Sequence, residues 1–260
     1  MKQVLASVVL AAVLLSPLAA EDGEKKAPAN VGGVDEPGAT ITGIVKFKGP
    51  QPVRKPLDNI LGNAYCSEAC KSKAPLDEKW VFGKNGDDDT FVNVLVYVSK
   101  GLQGKFAPPK EPKVLDQVGC VYTPHVVAVM AGQTLEIRNS DATLHNVMSA
   151  PRNNPAFNFG MPVKDQKVEK VFKEPETKMN LKCFMHPWMS SYVHVLEHPF
   201  FAVTGADGTF TIRGLPPGEY ELSVLHETSL FEPTPATAKV TATAGGKATA
   251  DFTYQPRPAN

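Results

Sequence analysis

Cys183-Phe-Met-His186-Pro-Trp-Met189 is the stretch of this chain whose residue types and spacing most clearly suit chemistry. A thiolate, an imidazole and a thioether follow one another at intervals of three residues, with a proline among them. Every methionine beyond Met1, and five of the six histidines, fall between residues 125 and 198. Soft and borderline metal ligands are therefore gathered in one part of the chain. Thiolate and thioether favour Cu(I), and imidazole suits copper in either state. Zinc prefers a closed tetrahedral set of Cys and His. Two His, one Cys and a weak axial Met are the ligands of a copper electron-transfer site. His145, which follows Asn139-Ser140-Asp141, is the natural source of the second imidazole.

Such ligands need strands to hold them. Lys178–Phe184 reads as a strand that delivers Cys183, and Ser191–Glu197 as the next one. The connection from His186 to Ser190 is then short enough to fold three side chains onto one point. Thr134–Arg138 reads as a strand ending near His145, and Ile41–Phe47, Phe91–Val98, Val121–Met130 and Lys167–Phe172 read as further strands. After Phe200, turn signals at Asp207-Gly208, Pro216-Pro217-Gly218 and Gly245-Gly246 separate alternating apolar stretches. With 20 Gly and 23 Pro, the chain reads as all-β. Residues 50–80 read as irregular and the final QPRPAN as a frayed tail. Asp87–Asp89 reads as a solvated hairpin turn in preference to a calcium loop.

The 260 residues carry 27 Lys plus Arg against 27 Asp plus Glu, which argues against a nucleic-acid partner. At 42% hydrophobic and 21% charged, the composition is ordinary for a globular protein. Residues 1–20, MKQVLASVVLAAVLLSPLAA, have the parts of a secretory signal peptide, and residues 21–38 read as a flexible leader. The expected location is periplasmic or secreted, with no membrane span after signal cleavage. If Cys183 holds copper, Cys66, Cys70 and Cys120 remain, and in an oxidising compartment Cys120 is expected to pair with Cys66 or Cys70. Cys66-Ser-Glu-Ala-Cys70 is not followed by the His and Met that a binuclear copper loop requires.

The pair NSDATLHN and CFMHPWM resembles the two copper loops of the cupredoxin family, over roughly residues 114–199. The resemblance implies a Greek-key β-sandwich with one type 1 (blue) copper ion. It makes His145, Cys183 and His186 equatorial ligands and Met189 the axial one. It gives Asn146 the task of bracing the cysteine loop, and His186 an imidazole edge through which electrons leave to a redox partner protein. Met185 and Trp188 are expected to shield the site, with Phe184 beside them, and Phe184, Met185, Pro187 and Trp188 to form an apolar patch on which a redox partner docks. Met148 is a competing soft ligand, better read as core or rim. His125, His194 and His198 read as satisfied strand or surface histidines, and His226 has no assigned role.

Residues 200–254, with Asp207-Gly-Thr-Phe210 and Gly214-Leu-Pro-Pro-Gly-Glu-Tyr220, resemble a carboxypeptidase-regulatory-like or collagen-adhesin B-type (transthyretin-like) β-sandwich. The expected organisation is one such sandwich from 39–113 and 200–255, with the cupredoxin at 114–199 inserted; a tandem arrangement is the alternative. The combination, with Asp116–His125 ahead of the first copper loop, also resembles exported cupredoxin-like bacterial proteins, some labelled methylamine-utilisation proteins. The function expected is one-electron transfer. The alternatives are a copper carrier or buffer using the Met-rich segment, or a surface module with a vestigial site. No Ser-His-Asp spacing or paired-carboxylate motif suggests an enzyme.

Overall fold

Strand Ala39–Phe47 turns Ala39, Ile41, Val45 and Phe47 inward at every second position, as a half-buried strand must. It is the spine of a seven-stranded sheet in the computed structural model, which describes residues 37–258. The signal peptide expected at 1–20 and the leader up to residue 36 lie outside the described residues. Along one edge the spine pairs antiparallel with Thr209–Leu215; it also runs parallel to Lys247–Thr249 and then Phe252–Pro256. A four-stranded sheet of Phe201–Val203, Leu95–Lys100, Gly218–Leu225 and Thr237–Ala242 completes the first sandwich. Phe47, Phe91, Val96, Phe210, Leu222 and Phe252 share its core.

Among the described residues, the strands between Lys113 and Leu196 pair only with one another. A five-stranded sheet runs in the order Phe157–Met161, His145–Ser149, Glu176–Lys182, Ser190–Leu196, Val126–Met130. A four-stranded sheet of Gln166–Val171, Thr134–Asn139, Lys113–Val118 and Val121–Thr123 lies opposite. Leu115, Tyr122, Ile137, Met161, Leu181 and Val193 fill the space between. Among the described residues the fold is all-β, apart from a 3₁₀ turn at Asp58–Gly62 and a short helix at Ala64–Ala69. Both fall in the segment that the sequence marks only as irregular.

Two apolar runs that read as single strands are each broken where the chain crosses between sheets. Phe91–Val98 is divided between Asp88–Phe91 and Leu95–Lys100. Asn93 makes the corner at φ 62, and the Thr204 hydroxyl accepts from the Val94 N–H while donating to the Phe91 carbonyl. Val121–Met130 is divided at Pro124-His125, where proline has no N–H to continue a ladder. Apolar content cannot reveal such corners, because both halves face a core. Asp88 and Asp89 belong to a strand, so only Gly86-Asp87 turns. Phe157–Met161 is an additional strand, and Gln255 and Pro256 pair with Glu232 and Phe231 instead of fraying.

Gly43 occupies the inward position between Ile41 and Val45, where its strand changes parallel partner. A Cβ there would overlap the Ala250 carbonyl oxygen and lie 2.7 Å from the Phe210 ring. Gly43→Ala is therefore expected to destabilise the protein by about 3 kcal/mol, the scale of core overpacking. The urea midpoint measures it, and an unchanged midpoint would show that the spine can shift.

Candidate metal centre

His145 opens its strand and Cys183 lies one residue beyond the end of Glu176–Lys182. These strands are neighbours, joined through the Met148–Lys182 pair, so both candidate ligands emerge at one end of the sandwich. The loop from Cys183 to Met189 closes on itself: Met189 N–H donates to the His186 carbonyl at 2.9 Å, and Cys183 N–H to the Met189 carbonyl at 3.4 Å. That closure brings His186 back over Cys183. The Nδ1 atoms of His145 and His186 face each other at 3.0 Å, and Cys183 Sγ lies 3.7 Å from His186 Nδ1. The three donor atoms form one group. His145, Cys183, His186 and Met189 are each at most 2% exposed, and Met189 packs in the same apolar cluster as Cys183.

Asn146 joins the two loops. Its backbone N–H donates to Cys183 Sγ at 3.3 Å, and its side-chain oxygen accepts from the Phe184 N–H at 3.2 Å. Its amide nitrogen donates to Asn158 and to the Phe159 carbonyl. Asp141, which residue spacing did not single out, holds the other side of His145: its carboxylate lies 2.8 Å from Nε2. The same carboxylate accepts from the N–H groups of Gly119 and Cys120, both at 2.8 Å. A carboxylate four residues before a histidine on a loop is a weak sequence signal, and only the fold shows that it reaches the ring.

The electrostatics follow from these contacts. Burial opposes ionising the Cys183 thiol, but His145, His186 and the N–H groups of Asn146 and His186 stabilise the thiolate and bring its pKa down to about 6. Burial likewise opposes charging His145, and the Asp141 carboxylate outweighs it, so the ring titrates above its ordinary value. Asp141 is pushed up by burial and pulled further down by His145, Cys120 and Gly119, leaving it below the ordinary carboxyl value.

Two expectations need correction. The His186 edge is not at the surface: this ring is 2% exposed, with Asn63 Nδ2 3.5 Å from Nε2 and the Trp188 ring centroid 5.1 Å away. The segment that covers it is pinned by a Cys66–Cys120 disulfide, one of the two pairings expected; Cys70 is free. Phe184 and Met185 do not shield the site, being 64% and 53% exposed, and it is the Phe184 backbone that matters. Met148 is not placed to ligate, because His145, Val147 and Ser149 point inward on their strand and Met148 lies on the opposite face. Trp188 is half-buried, with its indole N–H on the Cys120 carbonyl at 2.8 Å. His125, His194 and His198 each have protein partners: Glu227 and the Ser190 carbonyl, the Lys178 N–H, and the Val98 carbonyl.

No protein-family model matches this chain, and no curated protein is similar enough to count as a relative. Solved structures that it resembles include an amicyanin and a purple cupredoxin. An oxidized amicyanin variant is 28% identical over 32% of this chain and 81% of its own, with a TM-score of 0.30. A purple cupredoxin from Nitrosopumilus maritimus is 24% identical over 32% and 98%, at 0.27. A copper-containing nitrite reductase from Thermus scotoductus SA-01 is 22% identical over 38% of this chain, at 0.30; this chain spans a quarter of that one. These likenesses are confined to about a third of the chain.

Two titrations of the metal-free protein test the geometry. The thiolate absorbance of Cys183, taken as the difference from Cys183→Ser, is expected to appear with a midpoint near pH 6; a midpoint at the ordinary thiol value would show that the histidines do not reach the sulfur. The Asp141–His145 pair is expected to stabilise most between 3.8 and 6.5, the ordinary values of its two groups. A depressed carboxyl loses its contribution as pH falls through the folded pKa, and a raised histidine loses its contribution as pH rises through the folded pKa. The stability margin of wild type over Asp141→Asn is therefore expected to be bell-shaped. A margin flat from about pH 3 to 8 would mean that the pair carries no charge.

Proposed function

We propose that this chain is an exported type 1 copper protein that carries single electrons, holding one ion through His145, Cys183, His186 and Met189. The observation that carries this reading is the convergence of two Nδ1 atoms and one Sγ in a buried site. The separations of 3.0 and 3.7 Å are shorter than two metal–ligand bonds of ~2.0 Å to nitrogen and ~2.3 Å to sulfur laid end to end. One ion therefore reaches both rings and the sulfur with little rearrangement. Only one proton can lie between two facing ring nitrogens, so the cluster leaves lone pairs that a cation satisfies. The donor set suits copper, which when bound supplies a reversible one-electron couple.

The protein's own residues account for the rest. Asp141 holds His145 through Nε2, which leaves Nδ1 facing the site, and such outer carboxylates fix ring orientation and raise ligand basicity. Asn146 keeps the two loops in register. Burial excludes water, and a thiolate available near neutral pH makes Cys183 ready to bind. With the His186 edge covered, the exposed Phe184 and Met185, directly after Cys183, are the surface nearest the sulfur along the chain. We place the redox partner protein there. Export is supported by the disulfide, which persists in oxidising compartments, and by the character of residues 1–20. Among the described residues no helix is long and apolar enough to cross a membrane. We assign the outer strands to a carboxypeptidase-regulatory-like sandwich into which the copper-binding strands are inserted.

The copper-buffer reading loses its support from composition. Met130, Met161 and Met179 are at most 3% exposed and serve as packing, Met161 also accepting from Gln117 at 3.1 Å. The deciding experiment is Cu(II) titration of the signal-less protein followed in the visible. An intense thiolate-to-copper band is expected to saturate at one equivalent, to bleach reversibly with ascorbate, and to be absent in Cys183→Ser. Colourless binding, or none, would overturn the assignment.

A further inference from the structure

The Cys66–Cys120 disulfide does more than pin the covering segment. Its two sulfurs and a ring nitrogen of His186 all lie within 4.8 Å of one another, and all three residues are buried. A disulfide sulfur carries no charge and is a poor ligand. Two thiolates and an imidazole at those positions are a soft-metal donor set. We propose that in its dithiol form this protein binds Cu(I) through Cys66, Cys120 and His186, at a second site on the covered side of His186.

Reduction takes two electrons and two protons from a dithiol, which leaves as its own disulfide, and gives two cysteine thiols. Cu(I) then displaces their protons as the thiolates ligate it. The two cysteines are held in place by contacts that do not involve the S–S bond. Cys66 N–H donates to the Asn63 side chain at 3.0 Å, and Cys120 N–H to Asp141 at 2.8 Å. The Cys120 carbonyl accepts from Trp188. Tyr65, on the same helix as Cys66, accepts from the Ala142 N–H at 2.8 Å. Ile60 is wholly buried beneath the segment. With Cα atoms 5.6 Å apart, the reduced pair stays close enough for rotation about the side chains to bring both sulfurs to one ion. Three donors satisfy Cu(I), whereas a structural zinc site takes four.

His186 belongs to both donor sets, yet the second site can be tested with the first removed. The test protein is Cys183→Ala in a Cys70→Ser background, which leaves only the Cys66 and Cys120 thiols. One sample is kept oxidised; the other is reduced with dithiothreitol and desalted under nitrogen. Each is titrated with Cu(I) against bicinchoninate. The reduced sample is expected to retain one equivalent and the oxidised sample none. Equal retention by the two overturns the proposal, whatever the visible spectrum of copper-loaded wild type shows. Should Cys183→Ala not fold, reduced Cys70→Ser protein with Cys183 intact is treated with iodoacetamide, with and without Cu(I), and mapped by mass spectrometry. Cu(I) is expected to protect Cys66 and Cys120 at least tenfold. Unchanged alkylation of that pair, even with Cys183 protected, would equally overturn the second site while leaving the first standing.

Discussion

The Asp141 carboxylate accepts from the N–H groups of Gly119 and Cys120 with one side chain that also holds the His145 ring. Those two residues form the hairpin turn between Lys113–Val118 and Val121–Thr123, at φ 66 and 57. Consecutive left-handed residues match the twist of a tight hairpin, but cysteine adopts that conformation at a cost. The carboxylate offsets it by satisfying both N–H groups. Through Cys120 the same contact reaches the disulfide and the covering segment, and through His145 it reaches the candidate metal ligands. One buried acid thus couples ligand orientation, turn geometry and site coverage.

Around that point the site is built for rigidity. Asn146 spans from one ligand loop to the other, and the cysteine loop closes on its own backbone. Donor atoms held by packing and outer hydrogen bonds would need little rearrangement on a change of ion charge, which suits the electron transfer proposed above. Asn63, Trp188 and the disulfide cover the His186 ring, whereas Phe184 and Met185, next to Cys183, are exposed.

The two sandwiches are stacked. Leu95, Ala128 and Leu196 pack together where the Leu95–Lys100 sheet meets the sheet that carries the ligands. Val126–Met130 is consequently buried along its whole length, covered on both faces, and this is why it reads as unbroken apolar sequence without alternation. A buried ion pair, His125 with Glu227 at 2.9 Å, crosses the same junction. Burial opposes charging His125 and the Glu227 carboxylate outweighs it, so the ring titrates above its ordinary value. The outer sandwich thereby supports the back of the ligand-bearing sheet.

The all-β class was legible in the alternation and turn residues of the chain, because strand periodicity is local and survives without tertiary context. The three side chains that the fold brings together were legible as candidates too, since Cys183 and His186 lie within one loop, and His145 follows a strand end. Residue type alone limits what metal such a set can hold. What the sequence did not disclose depends on contacts between residues far apart along it. Asp141 resembles any loop carboxylate until the hairpin at Gly119-Cys120 folds onto it. Met148 is as soft a ligand as Met189, and only strand parity turns it away from His145. The segment at 50–80 shows no periodicity, because it is held by one disulfide, one buried isoleucine and a few side-chain hydrogen bonds, none of which leaves a pattern. Whether an imidazole edge meets solvent is decided by what packs over it, and that is a property of the assembled fold.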